Sequence, residues 1–282
     1  MERRTTIGTK DIIEKQLEDY DDVFADIVNV LLFDGRRLVR ENQLENAKDR
    51  SMFKADGNLH EQERDASKFW KEANVRIALY GLENQTEIDV DMPLRVYSYD
   101  GAAYKQQLLS GVERYPVVTL VLYFGEKRWN KARNLHGCFS IPGELKSYVN
   151  DGKINLFEIA YLTDEQVNMF QSDFRIVADF FVQKRKNKSY KPSQKEIIHV
   201  EEVLKMMSVL TNDVRFEEVY SPSEGGVRTM CEILDKIEQE GIQKGLSRRI
   251  HAFLECGFWK EEIAQKLDIS EETIEEILST EG

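Results

Sequence analysis

Apolar and polar residues alternate in a pattern that predicts a succession of helices and strands in the first part of the chain. Residues 10–33 carry apolar side chains at helical spacing, and Asp34 and Gly35 form the kind of signal that ends a helix. Residues 75–82 and 115–124 are short apolar runs, and the second is rich in β-branched and aromatic residues. Such runs favour strands that are buried on both faces.

The segment between these two strands favours a second helix. Asp91 stands where a capping residue is expected, Pro93 falls in the first turn, and the helix is predicted to run to about Leu109. Residues 153–162 predict a third strand, whereas the charged and polar residues 41–64 indicate a connecting loop. This alternation predicts a mixed α/β core.

The chain beyond Thr163 is predicted to be helical, with a polar linker at 184–194. We therefore expect an α/β domain over residues 1–185 and an all-helical C-terminal region over residues 186–282. The predicted helices cover residues 163–184, 193–210, 226–255, 259–266 and 270–279.

Composition agrees with a folded protein outside the membrane. Of the 282 residues, 41% are hydrophobic and 32% are charged, as is typical of globular proteins. The longest apolar run, 117–124, is far too short to span a bilayer, and the basic N-terminus lacks the apolar stretch of a secretory signal. The three cysteines show no metal-ligand spacing. We therefore expect a cytoplasmic protein.

The net charge of −12 argues against a protein that coats nucleic acid by bulk electrostatics. It does not exclude a nuclease, because a carboxylate-rich metal site itself adds negative charge. Basic segments are present at 127–133, 183–195 and 244–249. Each is either a solvated surface or a phosphate contact, and the sequence leaves both interpretations open.

Three polar residues, Glu83, Asn84 and Gln85, directly follow the first apolar strand. Alternation along a strand puts Glu83 and Gln85 on one face of the sheet and Asn84 on the other. Asp65 precedes the same strand, and a short strand pair would return it to Glu83, although spacing alone does not require this. Phosphodiester hydrolysis needs a hard cation, and Mg²⁺ prefers carboxylate and water oxygens, so Asp65 and Glu83 would suit a metal site if the fold brought them together.

The order of these motifs resembles the Rpn family, whose members are identified as recombination-promoting nucleases or transposases of the PD-(D/E)XK nuclease superfamily. The resemblance is carried by Asp65, by GLENQTEIDVDMPLRVYSYDGAAY at 81–104, and by DVFADIVNVLLFDG at 22–35. It covers roughly residues 20–185. It implies a restriction-endonuclease-like fold, in which helices flank a mixed sheet, for the α/β domain.

Carried over residue by residue, the resemblance implies that Asp65 and Glu83 are catalytic metal ligands and that Gln85 stands at the position of the superfamily's lysine. A lysine would hold a nucleophilic water and stabilise charge, whereas a neutral glutamine orients only by hydrogen bonds. Lys68 and Arg95 are candidate replacements for that cation and candidate DNA contacts.

The implied function is a divalent-metal-dependent DNA endonuclease, acting in recombination or on mobile elements, with Mg²⁺, Mn²⁺ or Ca²⁺ as cofactor. Asp26, on the apolar face of the first helix, is a further candidate ligand, and Lys127 and Arg128 are candidate DNA contacts. A homodimer is a candidate assembly, because cutting both strands often takes two sites. The alternative is a catalytically silent nuclease fold that binds DNA or another protein.

The residues themselves leave structural interpretations open. Asp65 fits the N-cap of a helix that begins at Ala66. Glu83 fits a solvated loop after a strand, with the amides beside it as turn formers. Asp26 fits an exposed position at the edge of the apolar face.

The end of the chain, residues 250–279, predicts a pair of helices like a helix-turn-helix motif. Such a motif reads DNA by placing its second helix in the major groove. That helix carries Glu271, Glu272, Glu275 and Glu276, which phosphates would repel. We therefore favour packing on the protein body or self-association over base recognition.

Overall fold

The computed structural model describes residues 16–47, 51–55, 58–62, 64–72, 75–111, 113–187, 190–220 and 229–280. The chain forms two compact units. The first contains the residues up to Lys191 together with Ile198–Asn212, and the second contains Pro192–Ile197 together with the residues from Asp213 onward. Within the described ranges, no helix combines the length and apolar character needed to cross a membrane.

A five-stranded mixed sheet forms the centre of the first unit, in the order β1-β4-β5-β6-β7. Its strands are β1 (Leu44–Asn46), β4 (Ala66–Glu72), β5 (Val75–Gln85), β6 (Val117–Tyr123) and β7 (Asn155–Glu158). The β1–β4 and β4–β5 pairs are antiparallel, whereas the β5–β6 and β6–β7 pairs are parallel. Strands β2 (Ser51–Ala55) and β3 (Asn58–Gln62) form a separate antiparallel hairpin.

Residues 41–64 are not a simple loop, and this prediction is wrong. They contain β1, which pairs with β4, and the β2–β3 hairpin. Backbone hydrogen bonds hold these strands, and such bonds form irrespective of side-chain polarity. The polar composition of the segment therefore gave no strand signal.

Among the described residues, the α-helices of the first unit are α1 (Asp21–Phe33), α2 (Met92–Ser110), α3 (Asp164–Met169), α4 (Phe174–Asn187) and α5 (Val200–Thr211). As predicted, α1 ends at Asp34 and Gly35, which have φ angles of 51° and 79°. Of the helix predicted at 10–33, residues 10–15 lie outside the described residues. A 3₁₀ helix at Leu17–Asp19 precedes α1, so α1 begins later than predicted.

The two faces of the sheet are covered by different helices. On one face, α2 packs through a cluster that joins it to β6 and to the following loops: Met92, Val96, Val121, Tyr123, Trp129 and Ile154. On the other face, Phe124 at the end of β6 packs against Phe174 and Phe181 of α4. This arrangement confirms the predicted α/β class with a mixed sheet flanked by helices.

The helix predicted at 193–210 is limited to α5, which begins at Val200, and two other predicted elements also differ in extent from the structure. The strand predicted at 153–162 is limited to β7 and continues as a 3₁₀ helix at Ile159–Tyr161. The helix predicted at 163–184 is divided into α3 and α4. Asp26 Oδ2 accepts hydrogen bonds from the backbone N–H groups of Gln171 and Ser172, at 2.8 and 2.7 Å. Because these N–H groups donate to Asp26, they do not form the backbone hydrogen bonds that would join α3 and α4 into one helix.

The second unit is helical, as predicted. Its helices are α6 (Arg215–Glu218), α7 (Met230–Glu255), α8 (Lys260–Leu267) and α9 (Glu271–Thr280), of which α6 was not predicted. Residues 226–228 of the helix predicted at 226–255 lie outside the described residues. Ile250, Ile263 and Ile274 form the buried core of α7, α8 and α9, which explains the apolar spacing of the last 30 or so residues.

A buried arginine crosses the α2 side of the sheet. Arg64 is 6% exposed, donates from Nε to Thr119 Oγ1 at 3.2 Å and forms an ion pair with Asp100 of α2 at 2.8 Å. The Thr119 hydroxyl also donates to Asp100 at 2.6 Å. Gly81 of β5 makes room for this side chain, because a Cβ there would lie 2.2 Å from Arg64 Cδ. Arg64 therefore links β5, β6 and α2.

We expect Gly81→Ala to destabilise the first unit by roughly 2–4 kcal/mol, because it forces the buried Arg64 away from Asp100 and Thr119. Urea unfolding monitored by circular dichroism measures this change. Gly143→Ala is the control, since a Cβ at Gly143 meets no atom within 4 Å. Equal stability of the two variants would contradict the role assigned to Gly81.

Candidate functional site

The antiparallel β4–β5 pair brings Asp65 to the end of β5. Ala66 pairs with Leu82 in this ladder, and Asp65 Oδ2 accepts a hydrogen bond from the backbone N–H of Asn84 at 2.6 Å. The return of Asp65 towards Glu83 is therefore realised by a strand pair. The N-cap interpretation of Asp65 is wrong, because a strand and not a helix begins at Ala66.

Alternation along β5 distributes the polar residues as predicted. Glu83 is paired with Val121 in the parallel β5–β6 ladder, and Val121 belongs to the cluster under α2. Glu83 and Gln85 therefore face α2, whereas Asn84 faces the opposite side. The Asn84 amide accordingly meets Glu18, which precedes α1.

Glu83 is buried, with 3% of its surface exposed. Its Oε1 accepts from the Arg95 guanidinium and, at 3.3 Å, from Gln85 Nε2. Its Oε2 is also buried and has no hydrogen-bond partner among the described residues. A buried carboxylate oxygen without a partner is costly. This oxygen is therefore suited to a ligand.

Burial and a neighbouring carboxylate both act on Glu83. Burial raises the pKa of Glu83 to about 7, the negative charge of Asp65 raises it further, and Arg95 and Arg64 oppose the rise. Burial also raises the pKa of Asp65, although the Asn84 N–H and Arg95 favour its charged form. Two carboxylates whose charged forms are both disfavoured by burial are a place where a cation would be stabilising.

Arg95 reaches the site from the first turns of α2. Its Nη1 donates to Asp89 at 2.9 Å, and its Nη2 donates to Glu83 and, at 3.1 Å, to the Tyr99 hydroxyl. Asp91 occupies the N-cap position of α2 but makes no side-chain capping bond. Arg95 therefore supplies positive charge directly at Glu83.

Glu18 belongs to the same region and was missed by the sequence analysis. It is 2% exposed, and the Asn84 amide donates to its two oxygens at 2.8 and 3.1 Å. Burial raises the pKa of Glu18 to about 8, the Asn84 hydrogen bond opposes this, and the charge of Asp65 adds to it. No pattern in an acidic stretch such as EKQLEDYDD distinguishes this glutamate from its neighbours.

The donor set fits a hard divalent cation with few protein ligands. Among the described residues, no group of three or more His, Cys, Asp or Glu side chains is arranged to hold a metal ion. Mg²⁺, however, commonly uses one or two carboxylates and keeps several waters. Asp65 and the free Oε2 of Glu83 meet that smaller requirement.

Lys68, a candidate cation from the sequence, lies inside the protein. It is 1% exposed, and its Nζ donates at 2.7 Å to the Asp19 carbonyl, at 2.7 Å to Asp21 and at 2.5 Å to Asn46. It therefore joins the sheet to the segment before α1. We do not include it among the proposed DNA contacts.

Asp26, the candidate ligand from α1, has its hydrogen-bonding capacity filled by protein groups. The Arg37 guanidinium donates to its Oδ1, while the backbone N–H groups of Gln171 and Ser172 and the Ser172 hydroxyl donate to its Oδ2. It is 3% exposed. Its observed role is to join α1 to the start of α4.

Basic residues lie beyond the adjacent strand ends. Gln85, Tyr123 and Glu158 are consecutive partners across β5, β6 and β7, so they form one row at the C-terminal edge of the sheet. Glu158 pairs with Arg128 at 3.2 Å and with Arg133 at 2.9 Å. The row places these cations roughly 10 Å from β5, given a strand spacing of about 4.8 Å.

The other basic residues vary in their surroundings. Lys127 is exposed, and Arg128 also lies over the Tyr161 ring at 3.8 Å. In the basic segment 183–195, Lys184 pairs with Glu126 at 3.7 Å, while residues 188–189 lie outside the described residues. Arg128 and Arg133, which pair with Glu158 at the end of β7, are therefore the basic residues that the sheet connects to β5.

Comparison with known families gives one match. A model of the family described as putative transposase, YhgA-like, matches residues 71–210. The match includes Glu83, Gln85 and Arg95 and begins after Asp65, and it confirms the resemblance found in the sequence. Comparisons with curated proteins and with solved structures gave no significant match.

We expect the free energy of unfolding to fall as pH rises, owing to Glu18. Its pKa of about 8 in the folded protein exceeds its ordinary value of 4.5. Its stabilising contribution is therefore complete below about pH 4.5 and is lost as pH rises through about 8. Glu18→Gln should remove roughly 2–4 kcal/mol of this dependence, leaving a smaller part of the same sign from Glu83.

Urea unfolding at several pH values, without divalent cations, measures this effect. Glu144→Gln, at an exposed position, is the matched control and should keep the wild-type dependence. If Glu18→Gln showed the wild-type pH dependence, the assignment of this effect to Glu18 would be wrong.

Proposed function

Over residues 71–210 the chain belongs to the YhgA-like transposase family, and we propose that the protein is a divalent-metal-dependent DNA endonuclease. One observation carries this proposal. The buried Glu83 Oε2 has no hydrogen-bond partner among the described residues and lies beside a second carboxylate, Asp65, which raises the Glu83 pKa. A cation bound by both carboxylates would give the buried Glu83 oxygen a partner and would offset the effect of the Asp65 charge on Glu83.

Each residue of the site has a distinct role in the proposal. Asp65 and Glu83 hold the cation, which supplies an activated water and offsets charge on the phosphate. Gln85 orients the attacking water by a hydrogen bond, since its amide already lies on the Glu83 side of the sheet. Arg95 keeps Glu83 in place and contributes positive charge near the phosphate.

The substrate in this proposal is DNA bound along the C-terminal edge of the sheet. Lys127 and Arg128 would contact backbone phosphates, and Arg133 extends that group. Contacts of this kind position the duplex without reading its sequence. The acidic net charge of the chain restricts such contacts to this local group.

A second candidate function is favoured by the Arg95–Glu83 ion pair. Arg95 already occupies Glu83 Oε1, and Gln85 carries no charge. These two features suit a catalytically silent nuclease fold that binds DNA or a protein. The two functions differ in metal binding, because only the endonuclease requires a cation at Glu83.

We expect the wild-type protein to nick supercoiled plasmid with Mg²⁺ or Mn²⁺, and we expect Glu83→Gln and Asp65→Asn to lose at least about 100-fold of this activity. Each variant removes one carboxylate charge while preserving side-chain shape. Agarose-gel assays measure nicking, and isothermal calorimetry measures Mn²⁺ affinity.

Glu144→Gln is the control for both assays, because this exposed carboxylate lies outside the site. Nicking by the Glu83 and Asp65 variants at the wild-type rate would falsify the assignment. Absence of Mn²⁺ binding by the wild type, with retained DNA binding, would establish the silent nuclease fold instead.

We also expect Lys127→Gln and Arg133→Gln to weaken binding to DNA duplexes of any sequence by a similar factor. Each lost phosphate contact should lower the slope of log affinity against log salt by about 1. Fluorescence anisotropy at several salt concentrations measures this slope. Lys146→Gln, at an exposed lysine outside the proposed contacts, is the control. An unchanged slope in both edge variants would exclude these residues as contacts.

A further inference from the structure

The outer face of α2 carries a regular row of residues that we call the α2 stripe: Leu94, Tyr97, Gly101, Tyr104 and Leu108. Their spacing of three and four residues puts them on one side of the helix. The residues that pack on the sheet, such as Val96, Tyr99 and Ala103, lie on the other side.

The α2 stripe is exposed to solvent. The exposed fractions are 36% for Leu94, 40% for Tyr97, 45% for Tyr104 and 65% for Leu108. The exposure remains although β2 of the hairpin lies near α2. The Tyr104 hydroxyl accepts a hydrogen bond from the Val117 N–H at 3.2 Å, and the Tyr97 ring lies against Gly152, so both tyrosines also contact their own subunit. A row of apolar and aromatic side chains that stays exposed along the outer face of a whole helix is nevertheless unusual for a surface that faces only water.

Gly101 is the central residue of α2, which runs from Met92 to Ser110. A glycine inside an exposed helix costs about 1 kcal/mol relative to alanine. The fold does not require it, because a Cβ at Gly101 would meet no atom within 4 Å. The absence of a side chain there would let another backbone approach the helix closely.

We propose that the α2 stripe is the contact face of a two-fold homodimer, in which α2 packs antiparallel against α2 of a second copy with the axis at Gly101. The stripe is nearly symmetrical about that residue, with a tyrosine and then a leucine on either side. Reversing one helix therefore places Leu94 against the partner's Leu108 and brings Tyr97 near the partner's Tyr104. A two-fold interface requires this kind of self-complementarity.

The charges of α2 agree with an identical partner. In the antiparallel arrangement, Lys105 faces the partner's Tyr97, an aromatic surface that accepts a cation. Arg95 is bound to Glu83 and Asp89, and Asp100 is bound to Arg64, so these charges are held by their own subunit. Like charges are therefore not brought together across the axis.

The size of the surface predicts a weak dimer. A helix of 19 residues is about 28 Å long and, with side chains, about 12 Å wide, which gives roughly 340 Å² per subunit. Exposed Val90 and Phe139 extend the surface, since Cys138 Sγ lies 3.9 Å from the Val90 carbonyl beside the start of α2. The total remains below the 1,200–2,000 Å² or so of standard interfaces, so we expect association in the micromolar range.

Charge reversal at the axis tests this proposal in the full-length chain. Gly101→Lys and Gly101→Glu place like charges against each other in the two-fold dimer, so each variant alone should dissociate at least about 10-fold more readily than wild type. A mixture of the two variants should associate again, because opposite charges then meet. Sedimentation velocity over a wide range of protein concentrations measures all three samples.

The test separates association from folding. Both variants should unfold at urea concentrations equal to or above that of wild type, because they replace a helical glycine at an open position. Gly241→Lys is the matched control, since Gly241 is also an exposed glycine in a helix, α7, with open space around it. It should dimerise like wild type.

Two results would overturn the proposal. One is a wild-type chain that stays monomeric up to several hundred micromolar, a concentration well above the expected range. The other is a pair of Gly101 variants that dimerise like wild type, because the dimer would then use another surface. Dimerisation through the α2 stripe is independent of whether the Glu83 site cleaves DNA.

Discussion

Two carboxylates, Asp65 and Glu83, are held together at the end of a buried strand, and much of the surrounding structure serves to hold them there. Loss of water raises both pKa values, and the negative charge of Asp65 raises the pKa of Glu83 further. The backbone N–H of Asn84 and the guanidinium of Arg95 offset part of this cost. The remaining cost is the physical reason why a cation is suited to this place.

Helix α2 connects this site to the rest of the first unit. Its inner face packs on the sheet, its Asp100 holds the buried Arg64, and its Arg95 binds Glu83. The absence of a side chain at Gly81 allows Arg64 to reach Asp100 across β5. A change in the position of α2 would therefore also change the surroundings of Glu83.

Positive and negative side chains are concentrated in different parts of the chain. The net charge is −12, yet two arginines, Arg128 and Arg133, pair with Glu158 where β7 ends. Helix α9 of the second unit instead begins with acidic residues, and its apolar side packs into the core around Ile274. This acidity argues against base reading by α9, and in the proposed function the phosphate contacts are made by the strand edge of the first unit.

The sequence by itself determined the α/β class, the two buried strands β5 and β6, and the faces on which Glu83, Asn84 and Gln85 lie. Those features depend on local periodicity, which the chain carries in its own order of residues. The sequence also drew attention to Asp65, although its spacing did not fix where Asp65 would lie.

Only the tertiary structure decided which charged residues meet. It buried Lys68 and Asp26 among protein partners, recruited Glu18 to Asn84, and gave β1 a place in the sheet despite its polar sequence. These outcomes arise from contacts between residues distant in the chain, and a carboxylate or ammonium looks the same in sequence whether it ends in water or inside the protein. Burial and partners, which the sequence does not specify locally, set the chemistry of the site.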